Sequence, residues 1–295
     1  MFDFASIPVQ ALLGQLLVGL INGSFYALLS LGLAIIFGVL RIVNFAHGAL
    51  YMLGALGAWL LLNLTGINYW GAVLLAPVAV GLVGALIEYV LLRPIRHMDH
   101  IYGLLVTFGV ALLLEGTFSD IYGVAGLPYA VPAQLSGGVN LGFMFLPWYR
   151  AWVLGASICV CVATWLLIER TKLGSYLRAS TENPKLAQAL GLNVPLLITV
   201  TYGFGASLAG LAGVMAAPIY QVSPTMGASA LIVVFAVVVI GGMGSLMGAT
   251  IAGFALGLIE GCTRLLYPEA SSAIIFIIMV LVLLLRPAGL LGREA

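Results

Sequence analysis

Uninterrupted apolar runs dominate the chain, and short clusters of charged and turn-forming residues separate them. Ala230 to Ile240 and Ile274 to Leu285 contain no polar side chain. The strict alternation of a half-buried strand is absent, so the runs read as helices rather than as strands of a transmembrane barrel. Nine segments emerge, near 9–39, 44–62, 70–92, 101–121, 150–168, 196–216, 228–242, 248–266 and 273–286. The first is too long for one straight crossing and holds Asn22-Gly23, so a tilted or broken helix is expected there. The last is short. The stretch around Gly241-Gly242-Met243-Gly244 has the composition of a re-entrant turn buried in protein. The expected architecture is all-α, a polytopic transmembrane protein of eight or nine spans forming one membrane domain over residues 1–295.

Composition agrees with that pattern. The 295 residues are 63% hydrophobic and 7% charged, against about 25% charged in a globular chain. A water-facing shell cannot be built from so few charges. This excludes a secreted domain, a nucleic-acid binder relying on a basic face, and most soluble enzymes. At about 20 residues per crossing, the apolar content sets a ceiling of roughly nine spans. The N-terminus carries Asp3 and no Lys or Arg before Pro8, so it lacks the charged start of a signal peptide and the first helix is expected to stay in the mature protein. Cys159, Cys161 and Cys262 lie in apolar runs without metal-ligand spacing, and neither a metal nor a cofactor is expected.

Basic residues collect on the cytoplasmic side of bacterial-type membrane proteins. With the N-terminus outside and the C-terminus inside, Arg41, Arg93, Arg96, Arg170, Lys172, Arg178, Lys185, Arg286 and Arg293 fall inside, and only Arg150 and Arg264 fall outside. The opposite orientation inverts this asymmetry. Two short helices in place of the first segment would move only the N-terminus. An external loop at 122–149, with Pro128, Pro132, Gly137-Gly138 and Pro147, reads as an irregular cap. The cytoplasmic loop at 169–195 is charged and helix-competent. Within it Asn183 precedes Pro184, a residue suited to a helix's first turn, and Gly191 is a C-terminal stop. Ala187 and Leu190 share a face of the intervening turns. Such a helix either links two spans or presses its small residues, Ala179, Ala187 and Ala189, into a partner's groove.

Arg41-Ile42-Val43-Asn44-Phe45-Ala46-His47-Gly48, Arg178-Ala179 with Ala187 to Asn193, Gly241-Gly242-Met243-Gly244-Ser245 with Gly248-Ala249, and Arg286-Pro287-Ala288-Gly289-Leu290-Leu291-Gly292 occur in that order. Together they resemble the permease subunits of branched-chain amino-acid ABC importers of the LivH type. The resemblance implies a multi-pass protein of the bacterial inner membrane that pairs with a second, similar permease, the two being driven by two cytoplasmic ATPase subunits and supplied by an external substrate-binding protein. It also implies that the cytoplasmic loop carries the helix that docks on the ATPase, which maps onto Ala187 and Gly191 within Pro184 to Asn193; Arg178, Ala179, Pro184, Lys185 and Leu190 complete the coupling surface expected from the loop itself. Ser180-Thr181-Glu182-Asn183-Pro184 departs from the family pattern, which bears on where that helix starts. The chain has no Gly-x-x-x-x-Gly-Lys-Ser/Thr phosphate loop, and Met247 stands where a dinucleotide fingerprint needs its third Gly. The chain is therefore expected to be no enzyme, with ATP bound elsewhere.

Small residues in membrane helices let backbones approach where no hydrophobic effect separates helix from lipid. Gly253, Gly257 and Gly261 recur every four residues, with Gly244 and Gly248 before them, and Ala206/Gly210 and Ala209/Gly213 repeat the device. These read as packing faces. Ionisable groups within spans are fewer: His47, Glu88, Glu115, Glu260 and Arg264. Glu88 can pair with Arg93 and Glu260 with Arg264, while Glu115 lies one turn from its span's outer end. Asn44 and His47 sit on one face of a turn. His47 either satisfies a backbone carbonyl or, with Asn22, Ser24, Asn44 and Glu115, lines a path. The rival reading from another class is a self-sufficient secondary transporter or channel, for small solutes such as amides, using Glu115, Glu260 or His47. An intramembrane enzyme finds no support in three His and three Cys.

Overall fold

A computed structural model describes residues 8–40 and 42–292, so Arg41, Arg293 and the first seven residues lie outside the described residues. The helices are α1 (Val9–Leu40), α2 (Ala46–Thr65), α3 (Tyr69–Ile87), α4 (Arg93–Ile95), α5 (His100–Tyr122), α6 (Trp148–Glu169), α7 (Lys172–Glu182), α8 (Pro184–Ala189), α9 (Val194–Tyr220), α10 (Met226–Gly241), α11 (Leu246–Leu266) and α12 (Ile274–Leu285). Among the described residues, seven helices are long and apolar enough to cross a membrane: α1, α2, α3 with its extension to Leu92, α5, α6, α9 and α11. Two further sequence segments correspond to α10 and α12, apolar helices of 16 and 12 residues. At 1.5 Å per residue these reach about 24 and 18 Å, less than the roughly 30 Å hydrocarbon core.

Apolar side chains point outward as well as inward. On α3, Leu74, Leu82 and Leu86 are exposed, and on α5, Ile101, Leu105 and Leu113, as expected where the solvent around the helices is lipid. At one end of the bundle Trp59 meets Tyr122 edge-on, and Trp70 meets both Tyr69 and Trp152. Aromatic side chains of this kind favour the membrane–water boundary. There the Tyr149 hydroxyl donates to the Met215 carbonyl at 2.9 Å and shares a 3.1 Å hydrogen bond with the Tyr69 hydroxyl, joining α3, α6 and α9.

The first segment is one unbroken 32-residue helix, not a broken pair. Gly23 does not interrupt it, because its missing side chain serves a neighbouring helix: a Cβ there would come within 3.0 Å of the Gly253 carbonyl oxygen and 3.1 Å of Phe254. Glycines line the whole crossing of α1 and α11. A Cβ on Gly253 would lie 2.5 Å from the Ala27 nitrogen, one on Gly257 would fall on the backbone of Gly19 and Gly23, and one on Gly261 on the Gln15 carbonyl. Gly248 instead faces Gly241 across the α10–α11 turn, and Gly244 sits in that turn with φ +86°, near Gly38. The turn is tight, with Met243 exposed. The C-terminal stretch folds back on it, the amides of Leu290 and Leu291 donating to the carbonyls of Ile240 and Gly241 at 2.8 and 3.1 Å. Two orphan carbonyls at the end of α10 are satisfied this way.

The interruption expected in the first helix lies instead between α1 and α2. His47 Nε2 reaches the Leu29 carbonyl at 3.0 Å, eleven residues before α1 ends, so α2 starts about 16 Å inside the length of α1. Residues 42–45 bridge the gap. The Phe45 amide donates to the Thr107 hydroxyl at 3.2 Å, which ties the bridge to α5. Gly48 at the start of α2 abuts Gly227 at the start of α10. The 122–149 loop is more ordered than its Pro and Gly content predicts. It contains a two-stranded antiparallel hairpin, β1 (Gly138–Asn140) with β2 (Phe145–Pro147), and Leu127 bridges to Val222.

Candidate functional site

Two regions carry polar structure beyond helix packing, one at each end of the bundle. In the 169–195 loop, the Thr171 hydroxyl caps α7 by accepting from the Leu173 amide at 3.3 Å. Gly174 presses so closely on the Ile168 carbonyl that a Cβ would overlap it. Arg178 pairs with Glu169 at 3.2 Å, both partners about 44% exposed, holding α7 against the end of α6. Asn183 Oδ1 accepts from the Leu186 amide at 3.0 Å, so Asn183 is the N-cap and Pro184 opens α8. Gly191 closes α8 with φ +86°, a conformation that favours glycine.

Ala187 and Leu190, three residues apart, do not form one outward face. Ala187 is 2% exposed and belongs to the main core, whereas Leu190 is 77% exposed and Leu186 56%. The small residue seats the loop on its own chain, and the large ones stand out from it beside exposed Arg178, Ala179 and Lys185. Beneath the loop, Glu88 is fully buried and pairs with Arg96, not with Arg93, while the Thr199 hydroxyl donates to its second oxygen. The reason is local: Glu88–Leu92 forms a π-helical turn, whose extra width rotates Arg93 away. Arg93 instead lies 5.3 Å over the Tyr89 ring. Glu88 thereby joins the end of α3 to the start of α9.

At the opposite end, a cavity of about 250 Å³ opens between α1, α6, α9 and α11. Its polar lining is Asn22, Tyr26, Arg150, Tyr220, Glu260 and Arg264, and its apolar lining Val18, Ile21 and Ile219. Glu260 pairs with Arg264 one turn on, and its other oxygen accepts from the Tyr26 hydroxyl at 2.8 Å. The Tyr220 hydroxyl donates to Asn22 Oδ1 at 3.1 Å. A second cavity, of similar volume and almost wholly apolar, lies beside Asn44, Phe45, Phe235 and Met279.

The five residues considered for a path do not converge. Asn22 lines the polar cavity and Asn44 the apolar one, where Asn44 Oδ1 accepts from the Ala46 amide at 3.1 Å. Ser24 is buried and donates to the Ile21 carbonyl at 2.7 Å. His47 is buried, and because a carbonyl only accepts, Nε2 carries the proton toward Leu29. Glu115, on α5, lines neither cavity. Sequence reasoning left Tyr26, Arg150 and Tyr220 unassigned. The available signal was the charge asymmetry: Arg150 and Arg264, the two basic residues on the minority side, line the same cavity.

Residues 15–283 match the family model described as the branched-chain amino acid transport system / permease component. The chain is 31% identical to the high-affinity branched-chain amino acid transport system permease protein BraD of Pseudomonas aeruginosa, over 95% of this chain and 96% of that protein. It is likewise 31% identical to the permease LivH of Escherichia coli K12, with the same coverage. A weaker likeness, 28%, extends to the LivM permease of that organism, over 90% of this chain and 67% of LivM. No solved structure matches the chain.

Proposed function

The chain belongs to the permease family of branched-chain amino acid transport systems, and we propose that it forms an import pathway for a branched-chain or other hydrophobic amino acid together with a second, similar permease. It is a multi-pass protein of the bacterial inner membrane. In this reading the N-terminus is outside and the C-terminus inside, the short α10 and α12 join the seven long helices to give eight or nine spans, and residues 1–295 act as one membrane domain. Likeness to both LivH and LivM, two permeases of one organism, supports a heterodimeric pore. Two cytoplasmic ATPases supply the energy, and an external binding protein delivers substrate.

The observation that carries the coupling role is the build of the cytoplasmic loop. Asn183 and Gly191 cap a short helix at its two ends, Ala187 seats it on the core, Gly174 holds the preceding α7 against the end of α6, and Leu186 and Leu190 are left outside. Exposed leucines flanked by Arg178 and Lys185 suit an apolar groove with an acidic rim on an ATPase. Motion of that groove reaches α9 directly, since α8 runs into α9, and reaches α3 through the Thr199–Glu88–Arg96 link. The close glycine seams serve as packing faces between helices that move as units.

Affinity purification of the tagged chain from its native membrane tests this assembly. The expected complex contains a second permease and two ATPase subunits, and Leu186→Asp with Leu190→Asp releases the ATPases while retaining the permease. Recovery of the chain with no ATPase under conditions that preserve ATP-driven uptake contradicts the proposal.

A further inference from the structure

The polar cavity has a charge arrangement that helix packing does not require. Glu260 and Arg264 neutralise one another, and Tyr26 adds a donor to the carboxylate. Arg150 lies against the same cavity and makes neither an ion pair nor a hydrogen bond among the described residues. The lining therefore holds two guanidinium groups and one carboxylate, an excess of one positive charge. Both arginines stand on the side of the membrane from which basic residues are otherwise depleted. Glu260 is 6% exposed and lies six residues before the end of α11, so the charged floor sits about 9 Å below that end.

The geometry points to an outer subsite for the zwitterionic head of an amino acid, with Arg150 taking the α-carboxylate, Glu260 the α-ammonium, and Val18, Ile21 and Ile219 the apolar side chain. The choice of ligand rests on the importer reading above, but each contact follows from the lining. A guanidinium binds a carboxylate through two parallel N–H donors. An ionised carboxylate has about four acceptor positions, and Arg264 and Tyr26 each contribute one donor to Glu260, which leaves capacity for an ammonium. Tyr220 and Asn22, already hydrogen-bonded to each other, form the rim. At about 250 Å³ the space lies just below the roughly 300–1,000 Å³ of pockets for drug-sized ligands, a fit for a solute of about ten heavy atoms. Substrate released by a binding protein would meet this site before it enters the apolar interior.

Two experiments test the subsite, and the first needs neither a variant nor transport. The assembled complex in nanodiscs is treated with phenylglyoxal, and modification of Arg150 is followed by mass spectrometry. Millimolar leucine is expected to slow modification at least threefold, while leucinamide, which lacks the carboxylate, and 4-methylpentanoate, which lacks the ammonium, protect much less. Equal rates with and without leucine overturn the proposal, and so does equal protection by inorganic phosphate, which would make the cavity a simple anion site. The second experiment uses proteoliposomes containing all subunits. Arg150→Gln is expected to lower the maximal rate of leucine uptake about tenfold, with the KM for leucine-loaded binding protein within about twofold, and Arg150→Lys to recover much of the rate. A raised KM at an unchanged maximal rate would make Arg150 a contact for the binding protein's surface and overturn the subsite. Failure of the unmodified complex to take up leucine would count against the importer reading instead, while the protection experiment still judges the cavity.

Discussion

Helices α1 and α11 meet along two adjoining faces that obey opposite rules. On one, Gly19, Gly23 and Ala27 lie against Gly253, Gly257 and Gly261 with no room for an added methyl group. One step around the same helices, Val18, Asn22 and Tyr26 stand with Glu260 and Arg264 around an open polar cavity. The closed face gains dispersion contacts by lacking side chains, the main attraction available between helices in lipid. The open face keeps charges that lipid would penalise. The closed seam also sets the geometry of the cavity: only backbones in contact bring the Tyr26 hydroxyl to 2.8 Å from Glu260.

The largest effect is expected from opening the seam. Gly257→Leu forces a branched side chain into the backbone of Gly19 and Gly23. Overpacking costs about 1–3 kcal/mol where neighbours can yield, and backbone cannot, so the yield of monodisperse protein in size-exclusion chromatography should collapse. A wild-type yield would show that the two helices do not meet there. Next comes the contact between the faces. Tyr26→Phe removes the hydroxyl from the buried Glu260, a hydrogen bond to a charged group worth about 1.5–3 kcal/mol. A clear drop in melting temperature with intact assembly is expected, and an unchanged value would detach the cavity from the seam. Gly116, on α5, has nothing within 4 Å of an added Cβ, so Gly116→Ala should leave stability equal or raise it by up to about 1 kcal/mol. A loss as large as that from Gly257→Leu would mean that glycine content, and not close contact, governs the seam. The smallest effect belongs to the exposed Arg178–Glu169 pair. Glu169→Gln should alter thermal stability by less than about 1 kcal/mol, because solvent screens both partners.

The sequence made some of this readable. Four-residue spacing places Gly253, Gly257 and Gly261 on one helical face whatever surrounds them, and uninterrupted apolar runs mark the helices to within a few residues. Asn183, Pro184 and Gly191 bracket α8 through local hydrogen bonds and backbone preferences, which neighbouring residues determine. Other features depend on chain segments far apart. Which helix lies opposite the glycines, and the placing of Arg150 and Glu260 on one cavity across more than a hundred residues, are set by packing alone. Ala187 illustrates the same limit: three-residue spacing groups it with Leu190, but α8 ends before Leu190, and tertiary contact buries Ala187 alone. Arg96 replaces Arg93 as the partner of Glu88 because of a π-helical turn that residue spacing does not announce.

The most direct test of the permease assignment is leucine accumulation in sealed proteoliposomes containing this chain, its partner permease and both ATPases, with loaded binding protein outside and ATP within. Uptake should require ATP, fall to background without the ATPases, and fall equally for Leu186→Asp with Leu190→Asp, even though the two permeases stay together. Accumulation by this chain alone, driven by an imposed proton gradient, would contradict the account and establish a self-sufficient transporter.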